Sequence, residues 1–272
     1  NDRLLTLSEE GSFNCIWEGA TASNANIRRE LIAGCCDNYI SRKVDGVFFS
    51  PLERVPDAGI VNREICTRLT EAGIPVVLID RDICEMPERS AYDMVSLDNF
   101  SAGCIMARHL IERRCSDIHF FYRPDSAGSV RIRLAGIRET LHAAGIPLPE
   151  NNIHCGEPDC RSAIAGIGIK RGETGIICAN DATAAVLMSA LAGEGYEIST
   201  DLLICAFDDM KYSMHLRYPL TSFRQPCREI ADTSVELMMR RIASPGIHPL
   251  AVNLAGTLIA RESTSFNNAS DN

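Results

Sequence analysis

Short apolar runs that alternate with longer amphipathic stretches constrain this chain more than any other feature. Val44–Ser50 (VDGVFFS), Val76–Asp80 (VVLID), Ile118–Tyr122 (IHFFY), Gly175–Ala179 (GIICA) and Leu202–Phe207 (LLICAF) are runs of five to seven residues. Runs of this kind suit strands buried on both faces, as parallel sheets require. Between them, Ser101–Arg113 sets Ala102, Ile105, Met106 and Leu110 at three- and four-residue spacings, and Ser129–Ala144 does the same with Ile132, Ile137, Leu141 and Ala144. Ala182–Glu194 and Cys227–Ala243 read as two further helices. In Ala72-Gly73-Ile74-Pro75 and Ala144-Gly145-Ile146-Pro147, Gly closes a helix and Pro follows shortly after. Repeated strand–helix–strand units predict an α/β fold: two doubly wound parallel-sheet lobes joined by crossover strands.

The first series closes near Val95-Ser96-Leu97 and a second opens at Ile118. The expected N-terminal lobe is 1–97 with about 225–253, the C-terminal lobe 98–220 with about 254–266, and 267–272 a disordered tail. The extended Pro219–Pro226 segment reads as chain passing between lobes, and a cleft between two such lobes could close on a ligand by hinge motion.

Composition narrows the partners. With 46% apolar and 23% charged residues, 272 residues can build large cores, and the chain reads as soluble and globular. No run approaches the roughly 18–20 apolar residues that cross a bilayer, and Asn1-Asp2-Arg3 does not begin a secretory signal, so no membrane is expected. A net charge of −9 repels phosphate backbones, and the basic runs are no longer than Arg113-Arg114 and Arg240-Arg241. The twelve cysteines show no C-x-x-C and no metal-ligand spacing with histidine. They read as reduced, mostly buried thiols of a cytoplasmic protein, with neither metal nor disulfides expected. No G-x-G-x-x-G follows a first strand, and no Walker sequence or nucleophilic triad stands at plausible positions, so neither cofactor nor enzyme activity is expected.

Three groups carry chemistry at the element ends: Arg131-Ile132-Arg133-Leu134-Ala135-Gly136, Ala179-Asn180-Asp181 and Phe207-Asp208-Asp209. A guanidinium donates to two oxygens at once while Asp and Asn accept from hydroxyls, a combination that suits a small polyhydroxylated ligand.

The order and spacing of these groups carry a resemblance over nearly the whole chain. With Arg42–Gly46, Gly73–Arg81, Leu97-Asp98-Asn99, Ala102-Gly103, His109-Leu110-Ile111, Pro219-Leu220-Thr221-Ser222, Gln225 and Leu258–Ser263, the sequence resembles the effector-binding core of a LacI/GalR-type transcriptional regulator. The resemblance implies a periplasmic-binding-protein-like domain of type I, homodimeric, that binds a sugar or related small metabolite. It also implies operator DNA contacted only through an N-terminal helix-turn-helix headpiece outside this chain. A periplasmic sugar receptor of an ABC transporter is the alternative with the same fold.

Carried over by position, the resemblance makes Arg133 the forked ligand contact, with Asp208 opposite it. Asn180 and Ser129 line the same lobe, Ser50 and Asp80 close the site from the first lobe, and Gln225 sits at a crossover. Plainer roles compete with several of these. Arg133 can be a surface helix residue in a salt bridge, Asp80 can pair with Arg81, and Asp209 competes with Asp208. Asp181 reads as the cap of the helix starting at Ala182. Trp17, in Asn14–Trp17, reads as a strand residue of the core or a sugar-stacking ring, and His109, His119 and His154 as structural or surface residues.

Two departures from the family pattern stand out. Asn1–Gly11 resembles only the tail of the family's first helix, so residues before Asn1 are expected. Gly156-Glu157-Pro158-Asp159 replaces an aromatic that often supplies a stacking platform.

Overall fold

The computed structural model describes Ile16, residues 25–55 and residues 57–266. The readings of Asn1–Gly11 as a helix tail, of Trp17 and of 267–272 as a tail lie outside the described residues, as does Asn14–Trp17 apart from Ile16, which is exposed and in no regular element.

Helices and strands alternate along the chain: α1 (Ala25–Arg42), β1 (Val47–Phe49), α2 (Ala58–Glu71), β2 (Val76–Ile79), β3 (Asp93–Leu97), α3 (Asn99–Glu112), β4 (Asp117–Tyr122), α4 (Gly128–Ala143), β5 (Ile153–Cys155), α5 (Arg161–Ala165), β6 (Thr174–Cys178), α6 (Asp181–Gly193), β7 (Leu202–Asp208), β8 (Thr221–Arg224), α7 (Cys227–Ala243), β9 (Ala251–Leu254) and β10 (Thr257–Ile259). The described residues fall into two compact units: those within 1–97, 127–129 and 226–254 in the first, and those within 98–126, 130–225 and 255–272 in the second.

The first unit holds a sheet ordered β1-β2-β3-β9, with every pairing parallel. Its inner strands β2 and β3 are buried on both faces, and the two-residue period decides which helix each side chain meets. Val76 and Leu78 pack with Val47, Phe49 and Cys36, Ile65 and Leu69 from α1 and α2. Val77 and Val95 pack instead with Ile230, Leu237 and Met238 from α7.

The second unit holds a six-stranded sheet ordered β10-β8-β7-β6-β4-β5. Its pairings are parallel except at the β10 edge, where Leu258 opposes Phe223 in antiparallel register. Ile176, Cys178, Leu202, Ile204 and Ala206 face α6, where Ala184, Leu187 and Leu191 complete the cluster. The alternate residues Ile118, Phe120, Ile177 and Cys205 are buried on the opposite face.

Helix ends follow local chemistry. At α2 the chain reverses at Gly73 (φ 77°), and Ile74 N–H bonds the Leu69 carbonyl at 2.9 Å. After α4, Gly145 (φ 70°) does the same, with Ile146 N–H on Leu141 O at 2.9 Å. Glycine suits both positions because it adopts a positive φ without the local strain of an L side chain. Asp98 caps α3, accepting Ser101 N–H at 3.0 Å. Among the described residues, no helix is long and apolar enough to cross a membrane.

Candidate functional site

Parallel strands gather their carboxyl ends on one side of a sheet, and open α/β sheets bind ligands there. In the second unit, β7 ends in Asp208, β8 is followed by Gln225, and β6 is followed by Ala179-Asn180. Arg133 reaches this edge from α4. Its Nε donates to Asn99 Oδ1 at 2.8 Å, its Nη1 to the Ala179 carbonyl at 2.6 Å, and its guanidinium lies over the Phe207 ring at 4.5 Å. The remaining nitrogen, Nη2, stands 3.8 Å from Asp208 Oδ1, and Gln225 Nε2 donates to that same oxygen at 2.7 Å.

These contacts change the expected division of labour. The Arg133 side chain is only 5% exposed whereas Asp208 is 29% exposed, so the group offered outward is the carboxylate. Arg133 is a buried, bonded cation and not a surface helix residue. The guanidinium keeps hydrogens on Nη1 and Nη2 beyond those used by Asn99 and Ala179, which is its remaining capacity for a forked contact.

The two adjacent aspartates differ in exposure and partners. Asp209 has a side chain only 5% exposed and accepts from Arg224 Nε and Arg261 Nη2, each at 2.6 Å. Its carboxylate ties the strand end to β8 and to the segment after β10. Asp208 therefore presents the reachable oxygens.

Asn180 caps α6 through Oδ1, accepting Thr183 N–H at 2.8 Å, which leaves its amide NH2 as the group it can offer a ligand. The cap expected of Asp181 is thus made by its neighbour. Asp181 is instead fully buried, and its carboxylate accepts Met210 N–H at 2.8 Å, Ser213 Oγ at 2.5 Å and Ser222 Oγ at 2.6 Å. Burial pushes its pKa up, the three donors work against that rise, and nearby Asp208 adds to it.

The remaining expected residues belong elsewhere. Ser50 directly follows β1 and is exposed, and Asp80 directly follows β2 with φ 75°; both are in the first unit. Asp80 Oδ2 accepts Arg81 Nε at 2.8 Å, so the ion-pair reading holds, and Arg81 Nη1 lies 2.7 Å from Glu53 Oε2. Burial works against the Arg81 charge, and Asp80 and Glu53 more than offset it, holding its pKa above the ordinary value. Ser129, placed on the same lobe as Asn180 by resemblance, is buried and groups with the first unit, because Ala127–Ser129 packs there: Ala127 N–H approaches Glu53 Oε2 at 3.4 Å.

Sequence reasoning missed Asn99, Phe207, Ser213 and Ser222. Asn99, Phe207 and Ser222 stood inside the motifs that carry the resemblance, and adjacency to Asp98 and Asp208 was the only further signal that the first two gave. Ser213 and Ser222 reach Asp181 from 32 and 41 residues away, a pairing that no local spacing announces.

Comparison with known proteins decides the family. Residues 107–264 match the family described as periplasmic binding protein-like domain. The chain belongs to this family. Among its relatives are regulators: the repressor PurR of Photobacterium profundum is 25% identical over 197 residues, covering 71% of this chain and 58% of that protein. The regulator CelR of Thermobifida fusca is 27% identical over 264 residues, covering 95% of this chain and 73% of its own length. The solved transcriptional regulator CelR–cellobiose complex superposes with a TM-score of 0.77 at 25% identity, covering 96% of this chain and 76% of that one. The LacI-type effector-binding domain read from the residues is the form that these relatives share. The chain spans a little under three fifths of the PurR relative's length.

Proposed function

We propose that this chain is the effector-binding core of a ligand-responsive transcriptional regulator, and that it takes a sugar or related hydroxyl-rich metabolite. One observation carries the reading: Asp208, oriented by Gln225 and backed by the buried Arg133, offers acceptor oxygens at the carboxyl ends of β7 and β8. Hydroxyl donors suit that carboxylate, and the Asn180 amide can answer a hydroxyl or carbonyl oxygen. Ser50, Asp80 and Ser129 complete the ligand set by resemblance. The cellobiose named in the CelR complex supports the ligand class.

The protein binds and does not catalyse. It works as a cytoplasmic homodimer, and a helix-turn-helix portion, which the relatives' names supply, reads operator DNA. Ligand shifts DNA occupancy only through a difference in affinity between two conformations.

The test is a thermal-unfolding screen of the 272-residue chain against pentoses, hexoses, disaccharides, their phosphates, uronates and purines. A ligand at about a hundred times its Kd adds about 2.7 kcal/mol, so at least one uncharged sugar is expected to raise Tm by several degrees. A screen in which only purines stabilise, or in which nothing does, overturns the reading; stabilisation by phosphates or uronates alone keeps the ligand class and overturns the role given to the Asp208 carboxylate.

A further inference from the structure

The turn that carries Asp208 has an unusual backbone. Asp208 has φ 109° and Asp209 φ 49°, two consecutive non-glycine residues in territory that L side chains rarely adopt. Such conformations persist only where surrounding contacts over-determine them, and they gather at functional sites. What over-determines this turn is therefore a question about how Asp208 is aimed.

Two sets of contacts hold it. One is the Asp209 carboxylate with Arg224 and Arg261, which fixes a side chain. The other fixes the main chain. Asp209 N–H donates to Ser222 Oγ at 2.9 Å, Ser222 Oγ donates to Asp181 Oδ1 at 2.6 Å, and Met210 N–H donates directly to Asp181 Oδ2 at 2.8 Å. Ser213 Oγ donates to the same Oδ2 at 2.5 Å, closing the far end of the loop. The two amides that follow Asp208 thus both end on one carboxylate, directly or through a single hydroxyl. Asp181 is shut off from solvent and opens α6, so this anchor is built on a rigid element. Buried acceptors of this kind are costly to leave unmatched, and its three donors match it.

We propose that Asp181 is a positioning residue that sets the direction of the Asp208 carboxylate by clamping the main chain of residues 209–213. Asp208's role toward ligand rests on the reading above, whereas the clamp can be tested without ligand, so the two fail separately.

The experiment is hydrogen–deuterium exchange by mass spectrometry on the whole chain and its Asp181→Ala, Asp181→Asn and Ser213→Ala variants, with a crystal structure of each. In Asp181→Ala, peptides spanning 209–213 are expected to exchange about tenfold faster or more, while β6 and β7 keep their protection. In its crystal structure, Asp208 leaves φ 109° and parts from Gln225. Asn offers one acceptor and one donor of the right size, so Asp181→Asn restores protection to within about threefold, since Ser222 Oγ can accept its NH2. Ser213→Ala, the variant least able to disturb folding, gives an intermediate acceleration confined to 209–213. Unchanged exchange at 209–213 in all variants overturns the proposal. So does loss of protection across β6 and β7 together, or an Asp208–Gln225 contact that survives in Asp181→Ala.

Discussion

Arg133 shows how much of the candidate site is spent on holding its own parts in place. Nε and Nη1 are bonded to Asn99 and Ala179, and Phe207 lies beneath the guanidinium plane. Replacing Arg133 with Ala leaves a buried amide oxygen and a buried carbonyl without their donor, which costs about 1.5–3 kcal/mol. Chemical denaturation should show that loss. Asp208→Asn, at a partly exposed position, should unfold at nearly the wild-type denaturant concentration. A second prediction concerns pH. His119 Nε2 lies 2.9 Å from Asp117 Oδ2, and His119 Nδ1 lies 2.9 Å from His154 Nε2. Lys170 Nζ and Thr174 Oγ1 also face Asp117. His154 is thus one of a pair of hydrogen-bonded rings whose other member is held by Asp117. Burial, and then His119, push the His154 pKa down to about 4. Because the folded pKa lies below the unfolded one, the unfolded chain binds the extra proton first as pH falls. Stability from this site is intact above about pH 6.5 and drains away between there and about pH 4. Tm measured across that window should fall, and His154→Gln should flatten the slope; an unchanged slope would show that other groups set it. At this scale the sequence revealed residue types but not their commitments. Asn180 and Asp181 are adjacent at a helix start, and spacing alone could not say which one caps and which one is buried.

Helices α3 and α4 carry the site's scaffold, and two glycines set their approach. A Cβ on Gly103 would lie 2.1 Å from the Arg133 carbonyl oxygen, and one on Gly136 would lie 2.1 Å from that of Phe100. Backbone cannot yield that distance without the helices moving apart. Gly136→Ala is therefore expected to cost about 1–3 kcal/mol or more, measured as a lower midpoint in urea, and to displace Arg133 with its helix. A midpoint unchanged from wild type would contradict the close crossing. Elements were legible where a clean period or a stop signal existed. The runs at β2, β6 and β7 and the helices α3, α4, α6 and α7 stand within a few residues of their sequence-read bounds. Helix α1 was not read, because its apolar residues are spread around the cylinder: Ile27 and Leu31 are exposed while Cys36 is buried. Strands β5, β9 and β10 are three or four residues long with half-buried or exposed side chains, too short to print a period. The antiparallel β10 edge was invisible for the same reason.

At the scale of the whole molecule, charge and surface chemistry set what the chain can meet. A net charge of −9 disfavours phosphate backbones, so the 272-residue chain alone should not retard DNA in a gel-shift assay at physiological salt. Tight sequence-specific retardation would mean that it reads DNA by itself. The proposed ligand recognition rests on the Asp208 carboxylate, 29% exposed, beside the Arg133 guanidinium, 5% exposed. Isothermal titration of uncharged pentoses, hexoses and disaccharides, cellobiose among them, into the wild-type chain and into Asp208→Asn tests that claim most directly. A charge-assisted hydrogen bond is worth about 1.5–3 kcal/mol, so the account predicts saturable binding to the wild type that weakens about 10- to 100-fold in the variant. Equal affinity in the two proteins, or no saturable binding of any sugar to the wild type, would contradict it.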